Sequence, residues 1–329
     1  MRKTLFVWVS LLVLAVVASV VGTTYVLRAS TKKRLIVSTT SSLYETGLLD
    51  AVETEFEAKY PIDLNFISVG TGIAIQHAQR GDADLILVHS PTAELKFLTE
   101  GTGVNRKIIA YNFFAIVGPE TDPAQIRGVT PFQALSKIVE SGRNGIAKWV
   151  SRGDGSGTHD KEKSLWTAAG YDWTALEKET TWYITPGGTM GPTLQKADYF
   201  SAYTLADMGT YLKYQKDGLI SLEVLVEQGK ELLNVYSAVA VNQTLHHNVD
   251  FDGAMTFVKF LVSDEGQHII EQYGEDDYGQ SLFYPAVRLL KENTDPAMAQ
   301  MIREYAFFED SECPPQYRRG YPELYANGA

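Results

Sequence analysis

The chain has 329 residues, of which 45% are hydrophobic and 21% charged, with a formal net charge of -11. This length suggests about two domains or lobes. The composition excludes wholesale disorder, and the acidic balance argues against nucleic acid as a partner. The one cysteine, Cys313, excludes an intrachain disulfide and a cysteine-based metal site. The six histidines show no metal-ligand spacing. Neither a metal nor a cofactor is expected.

Arg2 and Lys3 precede an uncharged apolar run over residues 5–27. That is long enough to cross a bilayer and follows the order of an export signal. Residues 1–30 are therefore read as a signal peptide or an uncleaved signal-anchor, with the body outside the cytoplasm. "RLIVSTT" (34–40) reads as a buried strand, and "SSLYETGLLDAVETEFEAKY" (41–60) as a helix capped by Ser41 or Ser42. "IDLNFISV" (62–69) is a strand, "GTG" a turn, "IAIQHAQR" a helix and "ADLILVH" (83–89) a third strand. This repeated βαβ order predicts a parallel sheet in an α/β fold.

"KIIAYNFFAIVGP" (107–119) reads as a long strand able to run from one lobe to another. "VTPFQALSKIVE" is a helix, "IAKWVSR" (146–152) a strand, "THDKEKSLWTAAG" a helix, "TTWYIT" a strand and "GGTMGPTLQKA" a glycine turn entering a helix. "YFSAYTL" (199–205) is a strand and "ADMGTYLKYQ" a helix; "ELLNVYSAVAVN" (231–242) is a second long strand, followed by closing helices. From Leu289 the sequence loses its period and ends rich in proline and tyrosine, predicting a surface tail. Asn242-Gln243-Thr244 is a formal glycosylation sequon.

Three turns share one design. "STTSSL" (38–43), "VGTGIA" (69–74) and "RGDGSGTH" (152–159) each follow a predicted strand and enter a predicted helix. A helix start offers unpaired N–H groups and a positive partial charge. Glycine admits a ligand close to the backbone, and serine or threonine adds a donor. Repeated three times, this points to an anion site at strand ends. Arg152 adds a charged planar fork suited to an oxyanion, and Asp154 is placed to pair with it and fix its direction. A nucleophile elbow needs G-x-S-x-G, and Gly155-Ser156-Gly157 has the wrong spacing. A P-loop is also absent. Ser156 and His159 lie three apart without an assignable acid, so a phosphate-ester hydrolase stays only as the alternative from another class.

These stretches, with "YNFFAIVGP", "AYTLADMGTYL" and "YGQSLFYPAV", resemble the tungstate-binding component of tungstate ABC importers across residues 35–288. The resemblance implies a type II periplasmic-binding-protein fold: two α/β lobes joined by two crossing strands, with the ligand in the cleft. It implies lobe 1 at 33–113 and 236–288, lobe 2 at 114–235 and an extension at 289–329, with crossings near 111–117 and 234–241. The family's hydroxyl-rich stretch falls on Thr39, Thr40, Ser41 and Ser42, with serine where the third threonine is expected. Its VGTG falls on Val69–Gly72, and its arginine and SGT on Arg152, Ser156, Gly157 and Thr158. The implied ligand-binding set is Thr40, Ser41, Ser42, Thr71, Gly72, Arg152, Ser156, Gly157 and Thr158. "GGTMG" (187–191) departs from the family pattern and is left out. The implied ligand is tungstate, or molybdate, sulfate or phosphate on the same fold, and the implied partner an ABC permease. At the third strand's end the chain offers His89 and Ser90 rather than an aspartate. That favours a fully deprotonated dianion over monohydrogen phosphate.

Overall fold

The computed structural model describes residues 32–227 and 229–325. The expected signal segment at 1–30 lies outside them. Among the described residues no helix is long and apolar enough to cross a membrane.

Strand β1 (Lys33–Thr40) lies between β2 (Ile62–Val69) and β3 (Leu85–Val88) and is parallel to both. Its second half is buried almost continuously, as a parallel strand covered on both faces must be. The segment after β1 is two helices rather than the one expected. α1 (Ser41–Glu45) and α2 (Leu48–Lys59) are separated by Gly47 at φ +85°. Such a backbone ends a right-handed helix and suits glycine. The N-cap of α1 is Thr40, whose Oγ1 accepts from Leu43 N–H, not Ser41 or Ser42. Helix α3 (Thr71–Arg80) connects β2 to β3, and α4 (Pro91–Thr99) follows β3.

The long strand β4 (Gly103–Gly118) pairs antiparallel with β9 (Leu233–Val241) through Phe113. From Phe114 onward it pairs instead with β7 (Thr204–Asp207), and near its end with β8 (Glu223–Val226). β9 also pairs with β3, so the first lobe's sheet runs β2-β1-β3-β9-β4, and short β10 (Tyr284–Pro285) completes the edge. The sheet is mixed, because both strands shared at the crossing run antiparallel to each other. In the second lobe β5 (Trp149–Val150) is parallel to β6 (Tyr183–Ile184) and bridges to Tyr203 next to β7. Helices α5 (Pro131–Arg143), α6 (Gly157–Ala168), short α7 (Trp173–Leu176), α8 (Met190–Tyr199) and α9 (Met208–Lys216) belong to this lobe. The strand expected over 199–205 begins only at Thr204, because α8 runs on to Tyr199.

Each lobe has its own apolar core. Phe56, Phe257 and Phe260 meet edge to face in the first, and Trp149 packs against Trp166 in the second. Burying one such large apolar side chain contributes roughly 1.5–3 kcal/mol. Helices α10 (Phe251–Val262), α11 (Asp264–Gln272) and short α12 (Glu275–Tyr278) close the first lobe.

The segment from Leu289 is not a surface tail. α13 (Val287–Glu292) and α14 (Pro296–Ala306) pack Leu289, Leu290, Ala299, Ile302 and Ala306 against Ile108, Leu233 and Val235. Beyond them Glu312 and Cys313 are fully buried. Arg106 pairs with Glu94 at 2.7 Å and donates to the carbonyls of Ala306 and Glu312. Lys107 pairs with Glu312 and donates to Leu324 O, while Glu312 Oε2 accepts from Ile108 N–H. The segment thus covers the outer edge of β4 before β10 begins. The Asn242 side chain is buried too: it donates to Gly101 O and accepts from Thr244, so the sequon serves as a loop lock.

Candidate functional site

The predicted anion turns converge. Arg152 leaves β5 in the second lobe and is 1% exposed. Its Nε donates to Asp154 Oδ2 at 2.9 Å and to Gly188 O at 3.3 Å. Nη1 donates to Thr158 Oγ1 at 3.1 Å, and Nη2 to Ser41 Oγ at 2.8 Å. The last bond crosses to the first lobe. A guanidinium carries five N–H groups, so one remains on each terminal nitrogen. Asp154 fixes the arginine as the sequence suggests. The GGTMG turn, set aside as a direct contact, instead supplies the Gly188 carbonyl that holds Nε.

The loop around Arg152 is held at both ends. Glu162 of α6 accepts from Trp149 Nε1, Ser151 Oγ and Tyr183 OH, fastening the helix to β5 and β6. Asp154 Oδ1 accepts from Ser156 N–H, and His159 Nδ1 accepts from Gly155 N–H. Gly153 and Gly155 sit at φ +64° and +69°, where a side chain would be strained. Ser156 caps α6 by accepting from His159 N–H at 3.3 Å. His159 Nδ1 is therefore engaged by Gly155, Nε2 is buried without a partner among the described residues, and neither nitrogen bonds the Ser156 hydroxyl as a general base would.

From the first lobe come the starts of α1 and α3. Ser41 and Ser42 are buried, and Thr71 is 0% exposed with Oγ1 lacking any hydrogen-bond partner among the described residues. Beside it, Gly70 lies against Ser156: a Cβ there would sit 3.7 Å from Ser156 Cα. A Cβ on Gly72 would be 4.0 Å from Gly155 O. The nine sequence-predicted residues thus lie on two facing walls, Thr40, Ser41, Ser42, Thr71 and Gly72 on one and Arg152, Ser156, Gly157 and Thr158 on the other.

The hydrogen-bond roles decide what these walls can hold. Ser41 and Thr158 each accept from Arg152, Ser156 accepts from a backbone N–H, and Thr40 accepts from Leu43. A hydroxyl whose lone pair is used this way keeps its proton for another acceptor. Thr71 is free in both roles. The nearby carboxylates are occupied: both Asp154 oxygens as above, and both Asp207 oxygens by Thr210. The cleft therefore presents protons beside two carboxylates, Asp154 and Asp207, whose oxygens are already engaged, while Glu45 at the far end of α1 keeps a buried Oε2 without a partner among the described residues. Asp207 caps α9, and burial pushes its carboxyl up to about 6, against its bonds to Thr210 and the nearby Arg152 charge.

Two further residues adjoin these walls. His89, fully buried at the end of β3, bonds through Nδ1 to Asn234 Oδ1 at 2.8 Å. Asn234 spends both amide protons on Asn112 and Tyr236, so its oxygen accepts and His89 Nδ1 carries the hydrogen. Burial lowers its pKa to about 4, so the ring is neutral with Nε2 as acceptor, 3.3 Å from Ser42 Oγ. Ser42 accordingly has scaffold acceptors for its proton, His89 and Thr40. Lys161, one turn into α6, is also buried. The "VHSP" stretch drew notice to His89 in the sequence. Lys161 carries no local signal, since a lysine in a helix reads as solvated.

His89 lies directly under Gly157 across the cleft. A Cβ on Gly157 would come within 2.7 Å of His89 Cε1 and Nε2. The ring cannot retreat, being bonded to Asn234 and stacked on Tyr236 at 5.0 Å. Gly157→Ala is expected to obstruct closure without unfolding either lobe. Overpacking of this kind costs about 1–3 kcal/mol, which corresponds to roughly 5- to 150-fold in affinity if it falls on the closed state. Titration calorimetry beside a thermal melt checks it: a lowered melting point with unchanged oxyanion affinity would refute it.

The sequence profile of the PBP superfamily domain matches residues 21–265. A curated relative, the tungstate-binding protein TupA of Peptoclostridium acidaminophilum, is 39% identical over 261 residues, 78% of this chain and 87% of the relative. Among solved structures, the tungstate-binding protein TupA of Desulfovibrio alaskensis G20 is 39% identical with a TM-score of 0.65, covering 77% of this chain and 98% of that one. The structure described as the tungstate ABC transporter from Geobacter sulfurreducens is 40% identical with a TM-score of 0.66, covering 74% of this chain and 100% of that one. With its mixed two-lobe architecture and facing walls, the chain belongs to the PBP superfamily, with the type II periplasmic-binding-protein fold, and within it to the family of TupA.

Proposed function

We propose that this protein captures tungstate between its lobes and delivers it to an ABC permease. The observation that carries this reading is the ring of proton-bearing groups around Arg152, drawn from both lobes, in which the carboxylate beside the arginine, Asp154, has both oxygens already engaged. Tungstate and molybdate are unprotonated dianions at neutral pH and need only donors. Monohydrogen phosphate needs an acceptor for its own proton. The relatives' names support tungstate in particular. Thr40, Ser41, Thr71, Gly72, Arg152, Ser156, Gly157 and Thr158 are assigned to the oxyanion directly. Ser42 is assigned to it as well, once its proton turns from His89 to the ligand. Work outside the cytoplasm, with residues 5–27 as export signal or tether, belongs to the same proposal. So does the division into lobe 1 (33–113 and 236–288), lobe 2 (114–235) and an extension (289–329).

Calorimetry on the purified chain with tungstate, molybdate, sulfate and phosphate tests the reading. Tungstate is expected to bind, and phosphate to bind at least about 100-fold more weakly, a difference of about 2.7 kcal/mol. Heat with none of the four, or turnover of a phosphate ester, would overturn it.

A further inference from the structure

Lys161 is a buried ammonium without a matching carboxylate. It is 8% exposed, and among the described residues no acid lies within ion-pair distance of it. Other buried cations of the chain are paired: Arg106 with Glu94, Lys107 with Glu312, Arg152 with Asp154. Lys161 Nζ instead donates to the Leu233 carbonyl on the crossing strand at 2.8 Å. It lies 4.3 Å from the centre of the Tyr305 ring and 5.9 Å from that of Phe114. These are neutral partners that accommodate a cation without cancelling its charge.

Its burial is made by both lobes. Lys161 lines a cavity of about 450 Å³ with His89 and Ser90 of the first lobe, Gly157 of the second and Tyr305 of the C-terminal segment. Burial drives its pKa down to about 7, opposed by the charge of Glu231, which does not come within ion-pair distance. His89, on the wall of the anion cleft, is within electrostatic reach of both Arg152 and Lys161. Arg152 is already balanced by Asp154, so the uncompensated charge at this end of the cleft is that of Lys161. Covering an unmatched ammonium is unfavourable, and a nearby anion in the same low-dielectric interior offsets that cost.

We propose that Lys161 is a specificity-determining residue that makes lobe closure conditional on a doubly charged anion. The inference rests on the oxyanion-receptor reading and deepens it. An empty cleft closes either by covering the charge of Lys161 or by giving up its proton, and both are unfavourable relative to the open, solvated ammonium. The attraction of Lys161 for a ligand scales with the ligand's charge, so a dianion offsets the cost of covering it about twice as strongly as a monoanion at the same place. The residue acts through space and through closure rather than as a direct ligand, and Tyr305 gives the C-terminal segment a part in that act.

The test compares tungstate with perrhenate, a tetrahedral oxyanion of single charge, on the wild-type chain, Lys161→Met and Lys161→Arg. Calorimetry reads tungstate directly, and perrhenate by competition with it. In Lys161→Met, tungstate affinity is expected to fall about tenfold or more while perrhenate changes less than about threefold, so the preference narrows. Lys161→Arg is expected to keep the wild-type preference. Lys161→Gln serves the same comparison if the methionine variant does not fold. Equal losses for both anions would show a merely structural role, and an unchanged preference would show none; either overturns the inference while the receptor reading stands. A wild-type chain that binds neither anion overturns both.

Discussion

Arg152→Ala is expected to lose tungstate affinity by at least about 100-fold while both lobes remain folded. Each charge-assisted hydrogen bond contributes about 1.5–3 kcal/mol net, and one such bond already corresponds to roughly tenfold or more in a dissociation constant. The loss goes beyond contacts to the ligand. Arg152 orients Thr158 and Ser41 by donating to both, so without it their protons are no longer directed into the cleft. Asp154 would also stand without its partner and present a bare negative charge to an incoming anion. Arg152→Lys tests the geometry separately. A lysine carries the charge, but its single ammonium cannot span Asp154, Thr158 and Ser41 as the planar fork does. It is expected to recover only a minor part of the affinity. Calorimetry with a matched thermal melt decides: tungstate binding within threefold of wild type in Arg152→Ala would remove this residue from the site.

Glu312→Ala is expected to be the most destabilising single change in the C-terminal segment, at about 3–5 kcal/mol. It strands Lys107, which is 3% exposed, and leaves Ile108 N–H without its acceptor. Breaking a buried pair is worse than never having it, because one charge stays behind without solvent. The double variant Lys107→Met, Glu312→Leu is accordingly expected to regain most of the loss. Urea denaturation of the three proteins checks both statements. Equal midpoints for wild type and Glu312→Ala would show that the segment does not hold the edge of β4.

The first lobe was the most legible part of the fold. Its strands carry short apolar or alternating runs that end in hydroxyl or glycine turns, so β1, β2 and β3 are legible in the sequence, as is the apolar stretch of the long β4. Over 41–60 the apolar period runs on through Gly47, so the sequence reads as one helix where a single left-handed residue makes two. β8 passed unnoticed because four residues give too short a pattern to separate from a loop. The C-terminal segment differs from its sequence pattern for another reason. What fixes it is Glu312 meeting Lys107 and Arg319 meeting Asn105, more than 200 positions apart, and no local period encodes that. In the cleft, the three turns and the Arg152–Asp154 pair could be read from spacing alone. The unmatched burial of Lys161 could not, since it depends on Tyr305 and Leu233 arriving from distant elements.

The position of β9 between β3 and β4 governs how the chain can be made. Val88 pairs with Ser237, and Ile86 with Val239, about 150 residues later. Until that strand has emerged, β3 and β4 both present open edges to their surroundings, and unpaired edges invite pairing with other chains. Contacts this remote in sequence also form slowly. The second lobe, contiguous between the two crossings, can condense while the first waits. A nascent or newly exported molecule therefore passes through a stage with one finished half and one sheet split open. Holding chaperones would act on that stage, and a folding time course should show the tryptophan-rich half protected from hydrogen exchange before the strands flanking β9.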